Sequence, residues 1–457
     1  MKVIRSLQGF QVLRYAALLL TGVLLAKSPL DTDSIGLYEA LLLVSGFTGF
    51  FWTGGLLNAL VPLYRSKSRE TAADLNDSNS YAIANNASAT ASVNTRHAEQ
   101  NGLLGEAFRT ALLVNTGLVA LLALFPGVWT GLLGLDHHSP QLWGIFCVFV
   151  FFNNPAYLAE YVYLVRDQSR ELLYYGVAVF VIQLVAVGLP PLLGYGLEIS
   201  LVGMALGALL RWLWLLHLLG PAWRMRSEEK ARSALRRTAI PLAGSLLLGG
   251  TAMYLDGFIV AGALGQEALA VFRYGARELP LVLLLANAFS TAASAEVADD
   301  LTASLRMIRE RSLAMLKRFV LISVALLLSS HWWFPKVFRP EFASSHTVFN
   351  IYLLLLIPRL LFPQTVLTGL GKTKVMFWIS GFELGLNAGL SLLLVAPFGM
   401  KGVAWATVIA HLADKLLLMA YNHRALNIRP STYVNGPAFV GYSLILALAY
   451  AVSLQIS

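Results

Sequence analysis

The sequence predicts an all-helical integral membrane protein, and three observations lead to that fold class. Of the 457 residues, 57% are hydrophobic and only 13% are charged, about half the charged fraction of soluble domains. The mean hydropathy of +0.65 agrees with this composition. The apolar runs are about 20 residues long, the length that an α-helix needs to cross a bilayer, whereas the strands of a membrane barrel alternate over about ten residues.

Thirteen apolar runs are predicted to span the membrane, one more than an even twelve-helix plan. The first run contains Arg14 and has no small-residue cleavage site, so we expect it to remain as a membrane helix. The predicted spans lie near residues 8–26, 36–64, 106–133, 141–165, 171–194, 198–220, 238–264, 267–295, 313–334, 346–370, 375–396, 400–421 and 435–454.

Basic residues gather in the loops that follow the even-numbered spans. "YRSKSRE" follows the second span and "WRMRSEEKARSALRR" the sixth, while the alternate loops are short or weakly charged. Basic loops stay in the cytoplasm, so this pattern predicts a cytoplasmic amino terminus and, with an odd number of spans, an external carboxyl terminus. The same loops account for the net charge of +9, and no nucleic-acid partner is expected.

Two segments suggest an internal duplication. "IGLYEALLLVSGFTGFF" (35–51) and "LAVFRYGARELPLVLLL" (269–285) each open a long span with a small, apolar, aromatic and charged residue. A duplication at this spacing places six spans in each half, a recurrent plan in transporters. It predicts four regions: an amino-terminal lobe over 1–222, a basic linker over 223–237, a carboxyl-terminal lobe over 238–422 and an extra span within 423–457.

Residues 65–104 differ from the rest of the chain. The stretch is rich in Asn, Ser, Ala and Thr and lacks an apolar period. Such composition predicts a flexible polar loop on the cytoplasmic side.

Charged residues inside the predicted spans are the main candidates for a functional site. A charge at the bilayer centre costs about 2.5–3.5 kcal/mol, so such side chains usually face a bundle interior or a water-filled cavity. Those near span ends can also reach the interface with long side chains. The candidates are Arg14, Glu39, Asp256, Arg273, Arg277, Glu278, Arg359, Glu383, His411 and Asp414.

Arg359 lies near the middle of its span between Pro358 and Pro363. Proline removes a backbone donor and bends helices, so a broken helix is expected beside this cation. The guanidinium either lines a cavity or forms a buried pair with Glu383 or Asp256.

Two other positions leave alternatives open. Asp256 either neutralises Arg277, titrates as a coupling proton site or binds Na⁺ together with hydroxyl neighbours. His411 and Asp414 are one helical turn apart, which suits a proton relay and equally a solvated mouth near Lys415.

Four of the ten candidates are arginines, at positions 14, 273, 277 and 359, and on them rests the interpretation that the intramembrane balance leans cationic. Arginine forks match phosphate oxygens bidentately, so a cavity with several arginines suits an anionic, phosphate-bearing substrate. A pump for cationic drugs is expected to carry acids instead.

Signals for enzymatic chemistry are weak. "GLGKTK" has Val366 where a phosphate-binding loop requires glycine, and the single Cys147 cannot form an intrachain disulfide. We expect no catalytic activity, no cofactor and no metal site.

The chain resembles the Wzx-type oligosaccharide-lipid flippases. The resemblance is carried by "SLQGFQVLRYAALLLTGVLLAK", "YEALLLVSGFTGFFWTGGLLNALVPLY", "YLDGFIVAGALGQEALAVFRYGARELPL" and "FPQTVLTGLGKTK". These flippases belong to the multidrug/oligosaccharidyl-lipid/polysaccharide (MOP) superfamily. The resemblance implies two six-helix lobes around a central V-shaped cavity that work by alternating access.

The resemblance also implies a cargo and a location. The cargo is an undecaprenyl-pyrophosphate-linked oligosaccharide for O-antigen, capsule or exopolysaccharide, moved across the inner membrane of a Gram-negative bacterium. Arg14, Arg273 and Arg277, and less clearly Arg359, are then the pyrophosphate ligands. H⁺ or Na⁺ is the coupling ion, and membrane lipids and other polysaccharide-assembly proteins are possible partners.

Thirteen spans and a long polar loop depart from the family pattern. Three alternatives stay open: a MATE-like exporter of drugs or other cations, a lipid II flippase and a membrane-embedded glycan polymerase. The polymerase normally needs a large external loop with catalytic residues, and the one long loop here is predicted on the cytoplasmic side.

Overall fold

The computed structural model describes residues 2–79, 86–135, 140–276 and 280–456. These residues form helices and no strand, as the composition predicts. The eighteen α-helices, in chain order, are α1 Lys2–Lys27, α2 Thr32–Asn79, α3 Asn86–Leu124, α4 Pro126–Leu132, α5 Pro140–Ala156, α6 Leu158–Val165, α7 Ser169–Gln183, α8 Leu189–Leu192, α9 Leu197–Leu219, α10 Glu229–Gly275, α11 Pro280–Asp299, α12 Leu301–Val337, α13 Ser345–Leu353, α14 Leu356–Arg359, α15 Pro363–Gly369, α16 Thr373–Leu426, α17 Pro430–Tyr433 and α18 Gly436–Ile456.

The lengths of these helices make the chain a multi-pass membrane protein. Within the described residues, nine helices are long and apolar enough to cross a membrane, and a tenth is added when one bent pair is counted as a single span. The predicted spans 375–396 and 400–421 both lie in α16, which explains part of the difference from thirteen. The predicted span 8–26 lies in α1 and most of the predicted span 267–295 lies in α11, and neither helix is among the nine.

The chain divides into two compact units. Unit 1 contains Met1–Leu30, Val44–Gly131 and Asp136–Gly250; unit 2 contains Asp31–Leu43, Leu132–Leu135 and Thr251–Ser457. Helices α2 and α10 contribute to both units. The basic stretch 223–237, expected as a linker, contains the end of a short 3₁₀ turn and the beginning of α10 at Glu229.

Two glycines interrupt the long helices of unit 2. Gly265 has φ 83° within α10, and Gly399 has φ 56° and ψ −139° within α16. Side-chain-bearing residues rarely adopt these angles, so glycine sets the position of each break. Gly399 brings the two halves of α16 side by side, and a Cβ at Gly402 would lie 2.2 Å from the carbonyl oxygen of Leu394.

The break predicted beside Arg359 is present. The span is divided into α13, α14 and α15, and the segments Ser345–Arg359 and Pro363–Gly369 meet at 44°. Pro363 begins α15, where its missing N–H costs nothing.

The polar stretch 65–104 differs from its prediction. Helix α2 continues to Asn79 and α3 begins at Asn86, so most of the stretch is helical, and residues 80–85 lie outside the described residues. Ala, Glu, Arg and Lys, which favour helices, extend α2 beyond its apolar part despite the absence of an apolar period.

Candidate functional site

Unit 1 buries a carboxylate between two arginines. Glu160 on α6 lies 3.5 Å from Nη1 of Arg14 and 3.9 Å from Nη2 of Arg211, and its side chain is 8% exposed. Arg14 comes from α1 and Arg211 from α9, so three helices converge on one negative charge. Two guanidinium groups around one carboxylate leave this cluster with a net charge of +1.

Neutral groups fix the two guanidinium groups around Glu160. Nη1 of Arg211 donates to Oδ1 of Asn153 at 2.9 Å, and Nε of Arg211 donates to the Tyr175 hydroxyl at 3.4 Å. The ring of Tyr157 has Arg14 at 5.5 Å and Arg211 at 5.1 Å from its centroid, distances at which cation–π attraction contributes.

The helix break between α5 and α6 creates this geometry. α5 contains Pro155 and ends at Ala156, so Tyr157 lies between two helices. Beside the break, Nδ2 of Asn154 donates to Oδ1 of Asn115 at 3.0 Å. Asn153, which holds Arg211, donates in turn to Asn154 at 3.4 Å.

Arg14 is the part of the cluster that is available to a ligand. Its side chain is 51% exposed, against 14% for Arg211. Among the described residues its contacts are one N–H with Glu160 and the ring of Tyr157. A guanidinium has five N–H donors, so most of them remain for an anion such as a phosphate.

Unit 2 also contains an ion pair between an arginine and a buried glutamate. Nε of Arg273 donates to Oε2 of Glu39 at 3.2 Å, with Glu39 5% and Arg273 34% exposed. The two residues occupy equivalent positions of the segments 35–51 and 269–285 that suggest a duplication. Gly36 allows the close approach, because a Cβ there would lie 2.1 Å from the carbonyl oxygen of Gln266.

Asp256 on α10 is buried without a cationic partner in the described part of unit 2. It accepts hydrogen bonds from the Tyr352 hydroxyl at 2.7 Å, from Nδ2 of Asn387 at 3.1 Å and from the Thr407 hydroxyl. Its residue is 6% exposed. Three neutral donors reduce the cost of burying the charge but do not cancel it, so a proton or a small cation would be stabilised here.

A cleft of about 100 Å³ in unit 2 is lined in part by Glu383 and His411, which are four residues from the Asp256 donors Asn387 and Thr407. Arg359, His411 and Lys415 supply basic groups to its lining, and Glu383 supplies an acid. Nδ1 of His411 lies 2.9 Å from Oε1 of Glu383. Arg359 lines this cleft together with Glu383, one of the two acids that the sequence offers it as a partner.

The remaining candidates from the sequence are Asp414, Arg277 and Glu278. Nζ of Lys415 contacts Asp414 at 2.9 Å, so among the described residues Asp414 has lysine as its ion-pair partner and His411 has Glu383. Arg277 and Glu278 lie outside the described residues, and the predicted pair between Arg277 and Asp256 stays a prediction.

Glu160 and Arg211 were missed as candidates on the sequence. Both lie inside predicted spans, 141–165 and 198–220, and the rule that selects charges within apolar runs applies to them equally. Tyr157 has no such signal, because an aromatic residue in a membrane helix is common.

Solved structures share this fold. A structure of the lipid II flippase MurJ in an inward closed conformation superposes with a TM-score of 0.70 over 98% of this chain and 92% of that one, at 16% identity. An outward-facing multidrug resistance MATE family transporter of the MOP superfamily gives 0.56 over 93% and 95%, at 12% identity. A MOP superfamily transporter from Pyrococcus furiosus, described as having a binding pocket of reverse polarity, gives the same TM-score, identity and coverage.

These similarities define the class of fold: an all-helical membrane fold shared by flippases and by MATE transporters of the MOP superfamily. At such low identities the likeness concerns the fold alone. No protein-family model and no curated protein matches the sequence.

Proposed function

We propose that this protein is a flippase that moves a polyprenyl-pyrophosphate-linked saccharide across the inner membrane of a bacterium by alternating access. The observation that carries the proposal is Arg14, a half-exposed guanidinium on an apolar helix, most of whose donors have no partner among the described residues. Arg273 offers the same chemistry from unit 2, and Arg277 and Arg359 complete the proposed set of pyrophosphate ligands. The structural likeness to a lipid II flippase supports this class of cargo.

Glu160 and Glu39 have a defined role in this proposal. In the absence of cargo, each carboxylate stabilises its arginine in an environment where a lone charge is costly. When the pyrophosphate arrives, its oxygens bind the remaining N–H groups in bidentate fashion. Compensation by arginine lowers the cost of moving the diphosphate through low dielectric while the polyprenyl tail stays in lipid.

Asp256 is the proposed coupling site. A buried carboxylate surrounded by neutral donors gains from binding H⁺ or Na⁺, and the gradient of either ion can then reset the cycle. The oxygen atoms of Tyr352 and Thr407 are suitable ligands for Na⁺ as hard oxygen donors.

The test uses purified protein in liposomes that contain a fluorescent polyprenyl-pyrophosphate-linked oligosaccharide. Arg14→Gln should slow its translocation roughly 10- to 100-fold, the range expected when one or two charge-assisted hydrogen bonds to phosphate are lost. Arg65→Gln is the matched control, because Arg65 forms an exposed pair with Asp167 at 3.9 Å. Wild-type translocation by the Arg14 variant, present at normal amounts, would contradict the proposal.

The cargo itself has two further candidates. Lipid II is favoured by the likeness to MurJ, and organic cations by the likeness to MATE transporters. The same liposomes loaded with lipid II, or with an organic cation outside, distinguish them. Transport of the cation without movement of either glycolipid would reject the flippase proposal, and movement of lipid II alone would reassign the saccharide.

Topology is tested with one introduced cysteine. Ala87→Cys in a Cys147→Ser background is expected to be protected from a membrane-impermeant thiol reagent in intact cells, because a cytoplasmic amino terminus places residue 87 inside. Labelling in intact cells would reverse the proposed orientation. Labelling only after the membrane is opened would support it.

A further inference from the structure

The two halves of α16 carry matched polar residues on both sides of Gly399. Asn387 and Thr407 both bond to Asp256. One helical turn further from Gly399 on each half, Glu383 and His411 contact each other at 2.9 Å. Residues four apart share a helix face. The Glu383–His411 pair therefore lies one helical turn from the Asp256 site, on the side away from Gly399.

The cleft lies further along α16 in this direction, away from Gly399. Glu383 and His411 both line it, and Lys415, one more turn along the second half of α16, lines it as well. The remaining polar lining comes from Asn287 and Ser290 on α11, Gln364 on α15 and Arg359 on α14. A continuous series of polar side chains therefore connects Asp256 to an open cleft, whereas hydrophobic residues are usual inside a membrane helix bundle.

We propose that this cleft is the route by which the coupling cation moves between Asp256 and the cytoplasm, and that the Glu383–His411 pair is its gate. The inference rests on the coupling role proposed above for Asp256. With the amino terminus in the cytoplasm, both ends of α16 are cytoplasmic and the cleft lies on that side of Asp256. A cation that leaves Asp256 meets the Glu383 carboxylate next, and it must displace His411 to occupy it.

The charges around the pair fit a gate better than a second storage site. Glu383 and His411 are 16% and 18% exposed, so each is reached from the cleft. Lys415 is already held by Asp414, and Arg359 adds a positive charge to the lining. Positive groups at the mouth raise the energy of a cation held there, so Glu383 is not a second storage site.

The experiment measures how fast the full-length protein releases its cation. Purified protein is loaded with radioactive Na⁺, or with protons at low buffer strength, and is diluted rapidly into medium without the ion. Retained radioactivity, or a pH-sensitive dye, follows the release. Asp256→Asn defines the bound cation, because it should remove it.

Three variants test the gate. His411→Gln should release the cation roughly tenfold faster, the kinetic equivalent of losing one charge-assisted hydrogen bond. Glu383→Gln should release it roughly tenfold more slowly, because the intermediate carboxylate is gone. Lys401→Gln is the matched control, because Lys401 is exposed on the same helix and does not line the cleft, and it should behave like the wild type. Glu383→Asp keeps the charge and covers the case in which the glutamine variant does not fold.

The outcomes separate the gate from the proposals on which it rests. Wild-type release rates in both the His411 and Glu383 variants, with the cation still lost in Asp256→Asn, would overturn the gate alone. A cation retained by Asp256→Asn would overturn the coupling site and the gate together. Neither result bears on the Arg14 experiment, which concerns the cargo.

Discussion

The two units bury a carboxylate in opposite ways. Glu160 in unit 1 lies between two guanidinium groups, whereas Asp256 in unit 2 accepts three hydrogen bonds from neutral donors. A carboxylate already neutralised by arginine holds its partners in place and has no further need of a cation. A carboxylate with neutral donors alone still gains from a cation. The comparison assigns anchoring of arginines to one site and ion binding to the other.

Replacing each carboxylate by its amide is the most direct way to break this comparison. Glu160→Gln leaves the buried Arg211 without a counter-charge, and we expect a loss of about 3–5 kcal/mol in the free energy of unfolding. Asp256→Asn removes a charge that has no cationic partner in the described residues, and we expect a change within about 1 kcal/mol. Unfolding in mixed micelles measures both. Equal losses would mean that the two carboxylates are compensated alike.

A double substitution sharpens the assignment in unit 1. Arg211→Met alone leaves Glu160 with the half-exposed Arg14 and should cost about 3 kcal/mol, while Arg211→Met with Glu160→Met should recover most of that loss. The coupling energy from the double-mutant cycle is expected to be about 1–3 kcal/mol. Simple additivity of the two single changes would indicate that Glu160 and Arg211 do not stabilise each other.

The hairpin that places Asn387 and Thr407 beside Asp256 depends on Gly399. Gly399→Ala forces a side-chain-bearing residue into an unfavourable conformation and should lower stability by about 1–3 kcal/mol. Gly381, on the same helix, has open space where a Cβ would lie, so Gly381→Ala should raise stability by up to about 1 kcal/mol. Thermal unfolding of the two variants shows whether stability depends on the backbone conformation at Gly399 or on replacement of any glycine in this helix. Cation release from Gly399→Ala should also change, since the donors to Asp256 shift.

An exposed carboxylate outside the spans gives the smallest effect and a baseline. Asp31 caps α2 by accepting from the backbone N–H of Ser34 at 2.8 Å. The hydroxyl of Ser34 and then this backbone N–H hold the pKa of Asp31 below its ordinary value. Asp31→Ala should cost about 0.5–1 kcal/mol near neutral pH.

The sign of the pH dependence at Asp31 follows from that lowered pKa. A carboxylate whose pKa is lower in the folded state contributes stability above its unfolded pKa, and this contribution disappears as pH falls through the folded value. The difference in unfolding free energy between wild type and Asp31→Ala should therefore shrink in acid. If the difference in unfolding free energy stayed constant as the pH falls into the acid range, the cap would not depend on the charge of Asp31.

Much of this architecture could be predicted from the sequence because it depends on local properties. Apolar length predicts the helical membrane fold, and the prolines around Arg359 predict the break that divides its span. The rule that selects charges inside apolar runs finds Arg14, Glu39, Asp256, Arg273, Glu383 and His411. The same rule, applied to every span, also finds Glu160 and Arg211.

The partners of those charges could not be predicted. For Asp256 the sequence left a pair with Arg277, a proton site and a Na⁺ site open, and the described residues give it three neutral donors. For His411 it left a relay with Asp414 and a solvated mouth open, and the structure places His411 against Glu383. Arg14 and Glu160 are separated by 146 residues, and no periodicity within either helix specifies which face of a distant helix it meets. Helical period fixes the face on which a side chain lies.

The sequence by itself determined that this chain is a helical membrane protein with arginines and acids buried among its spans. Only the tertiary structure decided that Glu160 meets Arg14 and Arg211, that Glu39 meets Arg273, and that Asp256 meets three neutral donors among the described residues. The physical reason is that burial makes every such charge expensive, so each must find a partner, but the choice among partners is made by packing between helices that are far apart in the chain.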